Sequence, residues 1–211
     1  MMQTVTDNGL YRIMDWLVKL VYLNLLWIFF TSIGAVIFGW IPATKVMHLI
    51  MKRWLVEQET FKVFPYFWIE FKKEWKSNIT ASLFFLVLGI VLWMDVKFFF
   101  ASYSAIHTLG KFLTIQLIAG ALILIVNYVT TSYPEDWSLF QKLRNSLIQG
   151  LKTPFKTLVA ILTSLLMIVL LLILHPGLVV LLGASLLAIN HVTLSRVLKK
   201  NDGLYRERTM S

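Results

Sequence analysis

The chain contains no cysteine, which excludes disulfides, thiolate metal sites and cysteine nucleophiles. Charge is scarce as well: 15% of the 211 residues are Asp, Glu, Lys or Arg, where soluble domains carry about a quarter. So little polar surface cannot cover a water-soluble body, and the 58% hydrophobic content points to lipid as the missing cover. Acidic residues are the rarer sign, 11 against 20 Lys plus Arg, and no carboxylate pair falls inside an apolar run. The patterns G-x-S-x-G, H-E-x-x-H and the P-loop are missing too, so the expectation is a protein that is no enzyme and holds no cofactor or metal. His48, His107, His175 and His191 sit in different stretches rather than at metal-ligand spacing. The net charge of +9 does not argue for nucleic acid, because the basic residues lie between apolar runs, where the positive-inside rule accounts for them.

Long apolar runs are what the sequence has. A bilayer core of about 30 Å needs about 20 helical residues. Five stretches meet or approach that length: 20–41, 79–100, 112–133, 158–174 and 177–194. The first has 22 uncharged residues, too long for the h-region of a signal peptide, and reads as a retained span. Counting Lys plus Arg between the runs places 16 on one side and 4 on the other. The alternation fits five crossings in the cell membrane, N-terminus outside and C-terminus cytoplasmic. The tight His175–Pro176–Gly177 turn admits a re-entrant hairpin for the last two runs, but both are apolar all round, which favours full crossing. The fold class is therefore all-α, a single polytopic membrane bundle with amphipathic helices on the cytoplasmic face.

Those amphipathic segments are 44–76 and 137–150. In the first, Val46, Met47, Ile50, Met51, Trp54 and Leu55 recur at helical spacing with Lys45 and Lys52 opposite. Phe64, Trp68, Phe71 and Trp75 then form an aromatic stripe flanked by lysines, the pattern of a helix lying on lipid or against a protein partner. Ser77–Asn78 and Thr153–Pro154 read as caps opening the second and fourth spans.

Within the spans, Gln116, Gly120, Asn127 and Thr131 share one face of the third, and Asn24 with Thr31, and Gly183 with Asn190, align similarly. Such stripes line a pathway or, more commonly, hold helices together. Asp95, beside Lys97 and the aromatic cluster of Trp93, Phe98, Phe99, Phe100 and Tyr103, reads as an interfacial carboxylate.

The run Asn24-Leu25-Leu26-Trp27-Ile28-Phe29-Phe30, then Pro42-Ala43-Thr44, then Phe64, Phe67 and Phe71-Lys72-Lys73-Glu74-Trp75-Lys76 resembles the YesL-like family of bacterial membrane proteins, with Ile41 where that family usually has glycine. The resemblance implies an accessory or regulatory role beside a sugar importer, and it supplies no catalytic residues. The expected partners are the bilayer and an importer or another membrane protein. A small transporter or channel working as an oligomer is the alternative, ahead of an intramembrane enzyme. The sequence leaves the oligomeric state open.

Overall fold

The computed structural model describes residues 9–134 and 136–210, the side chains of 10 and 197–210 excepted. Seven α-helices follow in order: α1 (Gly9–Ile33), α2 (Trp40–Lys52), α3 (Val63–Phe99), α4 (Ala105–Thr130), α5 (Leu139–Lys152), α6 (Pro154–Leu174) and α7 (Pro176–Met210). Five of them, α1, α3, α4, α6 and α7, contain stretches long and apolar enough to cross a membrane. Only 11 to 33% of those stretches is buried inside the protein, so most of their apolar surface faces outward, as a lipid-solvated bundle requires.

Residues 34–39 turn the chain sharply after α1, with Ala35 and Val36 held at φ 50° and 62°. A Cβ on Gly34 or Gly39 would overlap the other's backbone, so both glycines are needed for this approach. The turn folds α2 back along α1: Trp27 Nε1 donates to Thr44 Oγ1 at 3.0 Å, and the Trp16 ring meets Trp54 edge-on at 6.3 Å. Leu23, Leu26 and Phe30 then bury against Val46, Met47, Ile50 and Met51, with Phe67 and Phe71 of α3 and Ala188 and Val192 of α7 completing the core. The apolar stripe of α2 is thus covered by protein, not by lipid. Lys45, expected on the polar side, is only 4% exposed, because α3 and α4 cover that side too.

The second correction concerns α3, which runs unbroken for 37 residues where a surface helix and a separate span were expected. Nothing after Pro65 in its first turn stops it, and Asn78 does not act as a cap. The Asn78 amide nitrogen donates to Glu74 O at 2.8 Å and Glu74 Oε2 at 2.6 Å, while its oxygen accepts from the Tyr128 hydroxyl at 2.6 Å. A helix of this length reaches about 55 Å at 1.5 Å per residue, well beyond the bilayer core.

The remaining connections follow their local signals. Ser138 and Gln141 form a capping box that starts α5, and Pro154 occupies the first turn of α6. The Lys142 ammonium donates to the Ser77 carbonyl at 3.2 Å and ties α5 to α3. At the other hairpin, Asn190 of α7 donates to Thr163 Oγ1 at 2.8 Å and Ser164 Oγ at 3.1 Å of α6.

Helix α7 lies antiparallel to α1. Asn24 donates to the Val180 carbonyl at 2.6 Å and accepts from the Ser185 N–H at 3.2 Å. Further along, Arg196 Nη1 donates to the Leu55 carbonyl at 2.9 Å, beside the Trp54 ring that meets Trp16. The start of α1 and Arg196 therefore share one end of the bundle.

Candidate functional site

Where α4 ends and α6 begins, six helices leave a cavity of about 590 Å³. Its wall has Lys45, His48 and Lys52 from α2, Glu74 from α3, Asn127 and Thr130 from α4, Gln149 and Lys152 from α5, Lys156 and Thr157 from α6, and His191 and Arg196 from α7. Thr131 and Ser132 close it from the loop after α4. Five of these side chains are permanent cations or lysines, and one is a carboxylate.

Lys45 is the buried member. Its ammonium donates to the Thr131 carbonyl at 3.2 Å, stands 3.7 Å from Glu74 Oε2, and lies over the rings of Tyr128 at 5.0 Å and Tyr133 at 4.8 Å. Burial lowers its pKa from 10.5 to about 8, with Glu74 opposing the drop and Lys142 adding to it. The lysine remains mostly charged at pH 7. Burial also raises the Tyr133 hydroxyl, against the pull of its bonds to Ser146 and Thr131, so it stays a neutral donor and acceptor.

His48 and His191 meet across α2 and α7, Nε2 to Nδ1 at 3.2 Å. Burial first, and the neighbouring imidazole second, push His48 down to about 3, so it is neutral at physiological pH. Its Nδ1 is buried with no hydrogen-bond partner. Among the described residues no group of three metal-ligating side chains comes together.

The polar stripe of the third span divides here. Asn127 and Thr131 line the cavity: Asn127 Nδ2 donates to Ile123 O at 2.8 Å and Thr157 Oγ1 at 3.4 Å, and Thr131 Oγ1 donates to Gln149 Oε1 at 2.9 Å. Gln116 is exposed and takes no part in it, and nothing approaches Gly120. The cationic side chains were legible in the sequence only as a topology signal. Lys45 and His48 on α2, Lys156 on α6, and His191 and Arg196 on α7 come from three distant parts of the chain, and no spacing rule could have collected them.

The aromatic stripe divides as well. Phe71 is buried and meets Phe30 of α1 at a tilt, while Phe67 stacks on the same ring, and Trp75 packs beside Gly34. Phe64 and Trp68 keep 47% and 39% exposure, and Lys72 holds its ammonium 4.3 Å above the Trp68 ring. Trp68, Phe71, Lys72, Trp75 and Lys76 form a shallow groove with Ile33 at the end of α1.

A family model described as "Protein of unknown function, DUF624" matches residues 20–96, the stretch that holds the α1–α2 turn and the aromatic stripe. Among proteins of Bacillus subtilis (strain 168), the chain is similar to uncharacterized protein YteU, at 33% identity over 46% of this chain and 44% of the relative. It is likewise similar to uncharacterized protein YesL, at 33% identity over 56% of each chain. For uncharacterized protein YesV the identity is 31% over 74% of this chain and 75% of the relative. The chain thus spans about half the length of YteU and YesL and three quarters of YesV. No solved structure matches it.

Proposed function

We propose, from the premise that the chain belongs to the YesL-like family of DUF624 proteins, that it is a non-catalytic accessory or regulatory protein of the cell membrane. It works through the helices of its basic end and serves a carbohydrate uptake system. The observation that carries this reading is the groove beside Trp68, an exposed indole flanked by lysines at the junction of α1 and α3. A partly exposed Trp among cations, next to a fixed apolar wall, has the composition of an interface anchor. The sugar-importer partner is what the family resemblance supplies.

Lys45, Lys52, Lys152, Lys156 and Arg196 gather around the cavity, which supports a cytoplasmic position for that end. The antiparallel course of α1 and α7 supports a topology with both chain ends inside, in place of the N-terminus outside. The α1–α2 hairpin then enters from the cytoplasmic side. Lys97 and Lys111 become the basic residues of the far side, where the five-crossing arrangement leaves four.

The test is co-purification from membranes in mild detergent. Trp68→Ala should leave insertion and yield unchanged and remove an importer subunit that accompanies the wild-type chain. An unchanged set of co-purifying proteins would refute the reading. Trp75→Ala is the control for packing, since that ring lies against Gly34.

A further inference from the structure

The cavity among α2, α3, α4, α5, α6 and α7 has an unusually basic wall. Gathering like charges around one half-open space raises the energy of each, so stability alone does not account for such a wall. Lys45, Lys52, Lys152, Lys156 and Arg196 nevertheless line the cavity, and among the described residues Glu74 is the single carboxylate in the wall. Glu74 accepts from Asn78 Nδ2 at 2.6 Å and faces Lys45 at 3.7 Å, so this one carboxylate offsets a single positive charge of the wall.

Two further features point the same way. Helix α6 begins at the cavity with no side-chain cap, since the Thr153 hydroxyl donates back to the Gln149 carbonyl at 3.0 Å. The positive end of its dipole lies at the cavity, where Thr153, Lys156 and Thr157 line the wall. Amides and hydroxyls at Asn127, Thr131, Gln149 and Ser195 supply both donors and acceptors. A mixed lining of this sort fits a polyol better than a bare inorganic ion, and the volume admits a monosaccharide-sized group.

We infer that the cavity binds a phosphate ester of a polyhydroxylated group, the phosphate held by the lysines, Arg196 and the start of α6, and the hydroxyls by the amide and hydroxyl side chains. That chemistry occurs in a soluble sugar phosphate and in the glycerol phosphate headgroup of an anionic lipid. The inference goes beyond the accessory role and does not depend on it: binding is measured on the purified chain alone, and loss of a co-purifying partner leaves it standing.

The experiment uses the full chain in neutral detergent and in nanodiscs of zwitterionic lipid, with and without phosphatidylglycerol. Isothermal titration with glucose 6-phosphate, glucose and inorganic phosphate reads the soluble source. Retention of phosphatidylglycerol in native mass spectrometry reads the lipid source. Saturable binding of glucose 6-phosphate, with glucose inert, assigns a soluble ester. Selective retention of phosphatidylglycerol, displaced by glycerol 3-phosphate, assigns a headgroup. In either case Lys152→Gln and Lys156→Gln should each weaken binding about tenfold or more, with helicity unchanged. Lys152 is exposed at the rim, so its variant keeps the test valid even if Lys156→Gln does not fold. Binding of neither ester, or binding that both variants leave unchanged, overturns the inference.

Discussion

Lys45→Met isolates what the buried ammonium contributes to the fold. Burial lowers the Lys45 pKa from 10.5 to about 8, a difference of about 2.5 units. At roughly 1.4 kcal/mol per unit, the charged form destabilises the fold by about 3 kcal/mol relative to a neutral side chain. That figure already contains the attraction of Glu74 from α3 and the repulsion of Lys142 from α5. Methionine keeps the length and apolar volume but loses the hydrogen bond to the Thr131 carbonyl, worth about 1 kcal/mol. The variant should therefore be more stable than the wild type by about 2 kcal/mol at pH 7. A base whose folded-state pKa lies below its unfolded value leaves the unfolded chain holding more protons between the two. Wild-type stability consequently rises with pH from about 8 toward 10.5, and the advantage of methionine shrinks across the same window. Thermal or SDS-induced unfolding in detergent at pH 7 and pH 9.5 measures both effects. A variant less stable than wild type at pH 7, or a gap between the two that does not narrow at pH 9.5, would refute the argument. A stabilising loss of Lys45 would also explain its presence as a ligand group, kept at some expense to the fold.

Cysteine labelling tests the topology. Introduced cysteines at Lys76, at Lys152 and before α1 should all react only with reagents on the cytoplasmic side, and one at Lys111 only from outside; external reactivity before α1 would restore the five-crossing arrangement. The two halves of the α4 stripe should separate by stability. Gln116→Leu is expected to be neutral or slightly stabilising, because the side chain is exposed on a span. Asn127→Leu should cost about 1–2 kcal/mol, since membrane hydrogen bonds average about 0.6 kcal/mol and Asn127 donates to both Ile123 O and Thr157 Oγ1. Equal effects at the two positions would show that the stripe acts as one unit.

The membrane class, the helical content and the five long apolar helices were legible in the sequence, because each rests on a local property. Hydropathy over some 20 residues decides whether a segment tolerates lipid, and Ser138 with Gln141, or Pro154, decides where a helix begins. The family was legible too, through the run from Asn24 to Phe30 and the Pro42-Ala43-Thr44 turn. What the sequence could not decide was which side of an amphipathic helix meets lipid and which meets protein. The periodicity of α2 is the same whether its apolar stripe rests on a bilayer or on Leu23 and Phe30, and Lys45 reads as a surface lysine until α3 and α4 are seen to cover it. The continuity of α3 through Asn78 was hidden for a similar reason, since a cap residue and a mid-helix amide bonded to Tyr128 have the same letter. The cavity is the extreme case. Lys45, Lys152, Lys156 and Arg196 come from four helices, and only the folding of α2 back along α1, with α7 antiparallel beside them, brings their charges to one place.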